Sequence, residues 1–402
     1  MKKSIQYQLS FMMFLEFFIW GGWFVTLGSF LGNNLSATGA ETGMAYSTQS
    51  WGAIIAPFII GLIADKFFNA EKILGVLHIV GAVLMYQMSQ STEFATFYPY
   101  VLGYMIAYMP TLALVNSVSF NQMKDPAKEF PLVRVFGTIG WILAGLIISF
   151  VFKWDSIENI GNGMLSNTFT MVAIASAVLG VFSFTLPKTP PKGKGEKTSI
   201  SDILGLDALK LLKDRNFLVF FVSSVLICIP LAFYYQNISP FLTEYKVENS
   251  TAWASIGQIS EVGFMLLLPF FFKKYGFKKT ILFGMLAWGI RYVLFAYGNA
   301  GDLFFMLVIG IALHGICYDF FFVSGQIYTD SKAGDKVKSA AQGLITLATY
   351  GIGMLVGFWV AGNIVDKNLL AEGTHSWQDV WTFPALFAIG VLIFFAVLFK
   401  NE

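Results

Sequence analysis

Gly61-Leu62-Ile63-Ala64-Asp65-Lys66-Phe67, running on to Lys72-Ile73-Leu74, has a counterpart downstream in Phe272-Lys273-Lys274-Tyr275-Gly276 and Lys278-Lys279-Thr280-Ile281-Leu282. Each is a short basic connection between two long apolar runs. Equivalent loops in the two parts of a chain are what helical repeats related by an axis along the membrane normal produce. The echo therefore reads as a duplicated, membrane-embedded helical fold.

Outward from these loops, apolar runs recur at about 8–31, 44–67, 72–90, 95–120, 132–153, 166–186, 216–240, 250–272, 279–298, 302–327, 339–364 and 380–399. Each is long enough for a helix to cross the ~30 Å of bilayer hydrocarbon. The composition agrees: 56% of residues are hydrophobic and only 12% charged, where soluble domains carry about 25% charge. The first run, behind Lys2 and Lys3, is longer than the apolar core of a signal peptide and reads as a first transmembrane helix. The expectation is an all-α membrane protein with twelve transmembrane helices: an N-terminal six-helix half (1–187), a cytoplasmic linker (188–214) and a C-terminal six-helix half (215–402).

Charge sets the orientation. Taking alternate connections from the amino terminus, one set collects 21 of the 26 Lys and Arg, and the other holds only Lys153, Lys246 and Lys367. Positive loops stay inside, so both termini and the linker are expected in the cytoplasm. Within the linker, Ile203 to Lys213 has an apolar face beside basic residues and is expected to lie along the interface. Cys228 and Cys317 fall in apolar runs, and no His/Cys cluster has ligand spacing, so neither a disulfide nor a metal nor any other cofactor is indicated.

Polar groups inside the apolar runs are costly and mark transport paths. Glu261 is the deepest, mid-way along the 20-residue run Trp253–Phe272, with Gln258 one turn before it. Arg134, Thr138 and Trp141 share one face of span five, a stripe suited to a polar ligand with a flat ring. His314 and Tyr318 share a face of span ten beside Asp319, and Arg291 in span nine is a structural partner for Asp319 or Glu261. Span seven carries Gln236 and Asn237 beyond Pro230, which frees a carbonyl and favours a bend; these two and His314 are expected among the substrate-binding residues. Glu16 in span one is a rival carboxylate for the proton. Asp65 and Arg291 are read as structural, gating residues.

Six ordered motifs carry a family resemblance: Trp20-Gly21-Gly22-Trp23, Tyr108-Met109-Pro110-Thr111-Leu112, Phe130 to Gly140, Leu204 to Ala208, Gln258-Ile259-Ser260-Glu261 and Tyr318-Asp319-Phe320-Phe321. The Gly61 to Lys66 loop resembles the Gly-x-x-x-Asp-(Lys/Arg) motif of the major facilitator superfamily. Within it the chain is similar, almost end to end, to the nucleoside:proton symporters. The resemblance implies proton-driven nucleoside uptake across the bacterial inner membrane. It also implies ligand roles for Arg134, Thr138, Gln258 and Glu261, with Trp141 and Tyr318 at aromatic positions of the site and Asp319 as an acidic neighbour. Departures are Ala232 and Tyr235 where the pattern has Gln and Asn, His314 for a tyrosine, and Glu16 for a glutamine.

The expected function is proton-coupled uptake of a nucleoside by alternating access. Glu261 and Arg134 bind the ligand, and Glu16, Glu261 or Asp319 carries the proton. The altered span seven leaves a sugar or polyol carrier on the same fold as the alternative; a ligand-binding membrane sensor is more remote, since it would usually carry an added signalling domain and no soluble segment here exceeds about 30 residues. No nucleophile–base set suggests an enzyme. The expected partners are the nucleoside, protons and the bilayer, with no nucleic acid, and the expected state is a monomer.

Overall fold

A computed structural model describes residues 1–59, 67–191 and 206–400. Asp65 and the start of the amphipathic linker segment lie outside the described residues. Among those described, nine helices are long and apolar enough to cross a membrane. Strand structure there is limited to one isolated bridge, Leu369 with His375.

The helices follow the apolar runs. They are α1 (Lys3–Gly21), α2 (Leu27–Leu35), α3 (Gly39–Ile59), α4 (Ala70–Gln90), α5 (Phe94–Asn121), α6 (Pro126–Leu146), α7 (Ile157–Gly161), α8 (Ser166–Ser183), α9 (Arg215–Glu244), α10 (Ser250–Tyr297), α11 (Phe304–Ala312), α12 (His314–Tyr318), α13 (Ser324–Thr346), α14 (Met354–Lys367) and α15 (Trp377–Leu398). The 48 residues of α10 would reach far beyond one bilayer at 1.5 Å per residue. Gly276, at φ 75° and ψ 173°, divides them into two crossings in the left-handed region that glycine adopts without a Cβ clash. Span eight thus passes into span nine through this single break. Through Pro230 and Pro240, α9 remains one helix.

Two compact units form. The first comprises Met1–Ala37, Trp51–Ser199 and Glu248–Ala252; the second comprises Thr38–Ser50, Ile200–Val247 and Trp253–Glu402. In the first, α1 packs on α6, α8 and α5, and α4 packs on α8 and α5. Gly140 brings α1 and α6 into backbone contact, since a Cβ there would meet the Phe14 carbonyl oxygen at 2.2 Å. The outer face of α6, with Leu132, Val135, Ile139 and Leu143, is exposed. In a membrane protein such a face meets lipid and costs nothing. Its other face carries Arg134, Thr138 and Trp141, all half-buried.

In the second unit α9 is the most enclosed span and packs on α14 and α15. Leu206–Lys213 forms a 3₁₀ helix that packs on α13 and α9, so this part of the linker is docked on protein. Asp214 caps α9, accepting from the Phe217 N–H at 2.8 Å. Among the described residues, three π-helical segments interrupt the spans: Ile147–Phe152, Asp319–Val323 and Leu347–Gly353. Such turns recur at functional sites because they rotate side chains off the regular helical face.

Candidate functional site

In the first unit the polar stripe of α6 faces an aromatic cluster. The Arg134 guanidinium lies 4.1 Å from the centroid of the Phe17 ring, a cation–π contact. Among the described residues no carboxylate forms an ion pair with it. Trp20 meets Trp141 edge-on at 5.6 Å and Tyr108 at 5.7 Å. Gly21 makes room for this arrangement, because a Cβ there would press 2.8 Å from the Trp141 ring. The resulting surface offers flat apolar faces beside a cation, which suits a heteroaromatic ring with polar edges.

Glu16 lies one turn before Trp20 on α1 and is completely buried. Its carboxyl touches His78 Nε2 at 2.8 Å and Thr111 Oγ1 at 2.6 Å, while Tyr108 donates its hydroxyl to the Glu16 backbone oxygen at 2.7 Å. These partners come from α4 and α5. Nothing in the sequence pairs a single histidine in one apolar run with a glutamate in another, so His78 was not expected here.

The second unit gathers the residues of spans seven to eleven. Gly315 packs directly on the α10 backbone; a Cβ there would sit 2.6 Å from Ser260 C and Glu261 N. Its N–H donates to Ser260 Oγ at 3.1 Å. This close approach fixes Glu261 beside α12, where its charge reaches Tyr235, Tyr318 and Asp319. Tyr318 and Tyr350 share a hydrogen bond at 2.9 Å. Tyr350 is an addition to the expected set, brought in by the π-helical segment Leu347–Gly353. Gln258 and Glu261 are half-buried on one helical face.

Arg291 is fully buried and does not pair with Asp319. Its Nη1 meets His314 Nδ1 at 3.1 Å, and its guanidinium stacks 3.5 Å from the Tyr234 centroid. The reason is helical geometry. Asp319 follows His314 by five residues, which turns it well away from the face that meets Arg291. Both Asp319 carboxyl oxygens are buried without a hydrogen-bond partner. Gln236 and Asn237 are buried too; Gln236 Nε2 donates to the Gly39 carbonyl at 3.3 Å, at the start of α3.

Comparison with known proteins gives a consistent picture. A family model described as Nucleoside H+ symporter matches residues 2–402. The Escherichia coli (strain K12) protein YegT is 45% identical over 405 residues, covering 98% of this chain and 94% of its own. Xanthosine permease from the same organism is 35% identical over 413 residues, covering 99% and 96%. A crystal structure of a mutant of the nucleoside transporter NupG has a TM-score of 0.91 at 31% identity, covering 98% of this chain and 100% of that one.

Proposed function

The chain belongs to the nucleoside H+ symporter family, a transporter of the major facilitator fold, and on that premise we propose which residues hold the nucleoside and which takes the proton. The protein is a secondary transporter that couples nucleoside uptake to protons. Arg134, Thr138, Trp141, Gln258, Glu261 and Tyr318 contact the nucleoside. Trp141 and Tyr318 stack on the base. Arg134 donates to carbonyl or hydroxyl oxygens, and Glu261 accepts from hydroxyl or ring N–H groups. His314, held by Arg291, shapes the same wall from behind Tyr318.

Asp319 takes the coupling proton. The observation that carries this is its burial with both oxygens unpartnered. A bare carboxylate in such a place is far more costly than a neutral carboxyl. Its position at the start of a π-helical segment, within electrostatic reach of Glu261, ties its charge to the ligand set. Gln236 and Asn237 act as packing and lining residues of span seven, and Asp65 and Arg291 are structural.

Twelve spans in two six-helix halves, alternating in access, complete the reading. The protein is a membrane transporter; the finer assignment is a monomer in the bacterial inner membrane, and the lysine asymmetry supports its two termini being cytoplasmic. The test is Asp319→Asn in proteoliposomes. Exchange of labelled uridine against internal uridine is retained, while accumulation driven by a pH gradient is lost. Accumulation at the wild-type level would remove Asp319 from the coupling step.

A further inference from the structure

The buried group around Glu16 has a hydrogen-bond inventory that can be counted. Ser176 Oγ lies 2.9 Å from the His78 backbone oxygen and 3.2 Å from His78 Nδ1. His78 Nε2 lies 2.8 Å from Glu16 Oε2, Glu16 Oε1 lies 2.6 Å from Thr111 Oγ1, and Thr111 Oγ1 lies 2.5 Å from the Tyr108 backbone oxygen. Five links run in one chain, and a backbone carbonyl closes each end.

A carbonyl can only accept, and each hydroxyl owns one hydrogen. Ser176 therefore spends its hydrogen on the His78 carbonyl and must accept from His78 Nδ1–H. A second hydrogen occupies the His78–Glu16 contact, whichever of the two atoms carries it. At the other end, Thr111 has one hydrogen for two close oxygens, Glu16 Oε1 and the Tyr108 carbonyl. With the pair electrically neutral, the five links share four hydrogens. One more proton, on Glu16 Oε1, would donate to Thr111 Oγ1 and release the Thr111 hydrogen to the Tyr108 carbonyl. Every link is then served.

We propose that Glu16 Oε1 is a second proton-binding site, held by His78, Thr111 and Ser176 within the first unit. The inference rests on the proton-coupled reading and adds a site to it, distinct from Asp319. The ionisable groups facing Glu16 are His78 on α4 and Tyr104 and Tyr108 on α5; the charge of Arg134 on α6 reaches Tyr108. From α8 the facing group is Ser176, which does not titrate. The arrangement also ties the group to the ligand face by packing, with no proton passing along it. Tyr108 bonds the Glu16 backbone and packs on Trp20, and Trp20 packs on Trp141.

The experiment records the protonated-carboxyl C=O bands of the purified full-length protein by infrared spectroscopy at acid and neutral pH, because a total proton count would also register His78. Glu16→Gln lacks one carboxyl band that wild type shows at acid pH, Asp319→Asn lacks another, and the double variant lacks both. Glu16→Gln additionally mimics the protonated state at the Thr111 end, because its amide donates to Thr111 Oγ1. Uridine exchange by this variant at neutral pH therefore shifts toward that of wild type at acid pH. Carboxyl bands unchanged in Glu16→Gln overturn the proposal, as does an exchange profile identical to wild type. If Glu16→Gln does not fold, Thr111→Val, which removes the acceptor, must weaken or shift the same band, and a wild-type band there also overturns it. Failure of the Asp319 assignment would appear separately, as uphill uptake surviving in Asp319→Asn.

Discussion

Arg291 and Tyr234 are stacked 3.5 Å apart, guanidinium over ring, inside the second unit. The second contact of Arg291, to His314 Nδ1, makes the imidazole accept and so places its hydrogen on Nε2. A planar cation serves both partners at once, which an ammonium cannot do. Arg291→Lys is therefore expected to lower stability by about 1–3 kcal/mol, from a desolvated cation–π contact and a charged hydrogen bond. Thermal unfolding in detergent checks this, and a melting temperature equal to wild type would show that the stack contributes nothing.

Arg134 has an aromatic ring and no carboxylate as its neighbour among the described residues, so its donors are available to a ligand. Arg134→Ala should weaken uridine binding by about 1.5–3 kcal/mol, the range for a hydrogen bond to a charged group, or roughly 10- to 150-fold. Calorimetric titration of the purified protein measures it. Retained affinity would move the ligand away from the α6 stripe.

Gly315 lies against the backbone of Ser260 and Glu261 with no space for a side chain. Gly315→Ala must push α10 and α12 apart, at a cost of about 1–3 kcal/mol in packing. The larger effect should be on uridine affinity, because Glu261 moves with the backbone. A variant that loses stability but binds uridine normally would place Glu261 outside the ligand contacts.

Asp214 lies outside the spans, and the Phe217 N–H that it caps holds its carboxyl below the ordinary value of 3.8, with Lys332 adding to the effect. A folded-state value that is depressed gives stability present above the ordinary value and lost as the pH falls through the folded one. Asp214→Ala should cost about 1 kcal/mol at neutral pH through loss of the cap. Asp214→Asn should keep most of the cap while removing that acid-side loss. Melting curves across acid pH for the three proteins compare these directly.

The all-helical membrane fold was legible because a membrane span announces itself by length and apolarity. The α6 stripe was legible for a similar reason: positions four and seven residues after Arg134 must share its face. What stayed hidden depends on partners from other helices. Charge alone favoured Arg291 with Asp319, whereas burial and helical phase gave Arg291 to His314 and Tyr234. Tyr350 reaches Tyr318 from a π-helical segment whose extra residue per turn no apolar period reveals. Glu16 stood out as a deep carboxylate, but its meaning changed once His78 and Thr111 were found against it.

The most direct test of the account is accumulation of labelled uridine by proteoliposomes containing the purified protein, with an imposed inward proton gradient. The account predicts uridine concentrated above the bath level, collapse of that accumulation by a protonophore, and loss of it in Glu261→Gln. Accumulation that ignores the protonophore, or uptake in which a sugar displaces the label and other nucleosides do not, would contradict it.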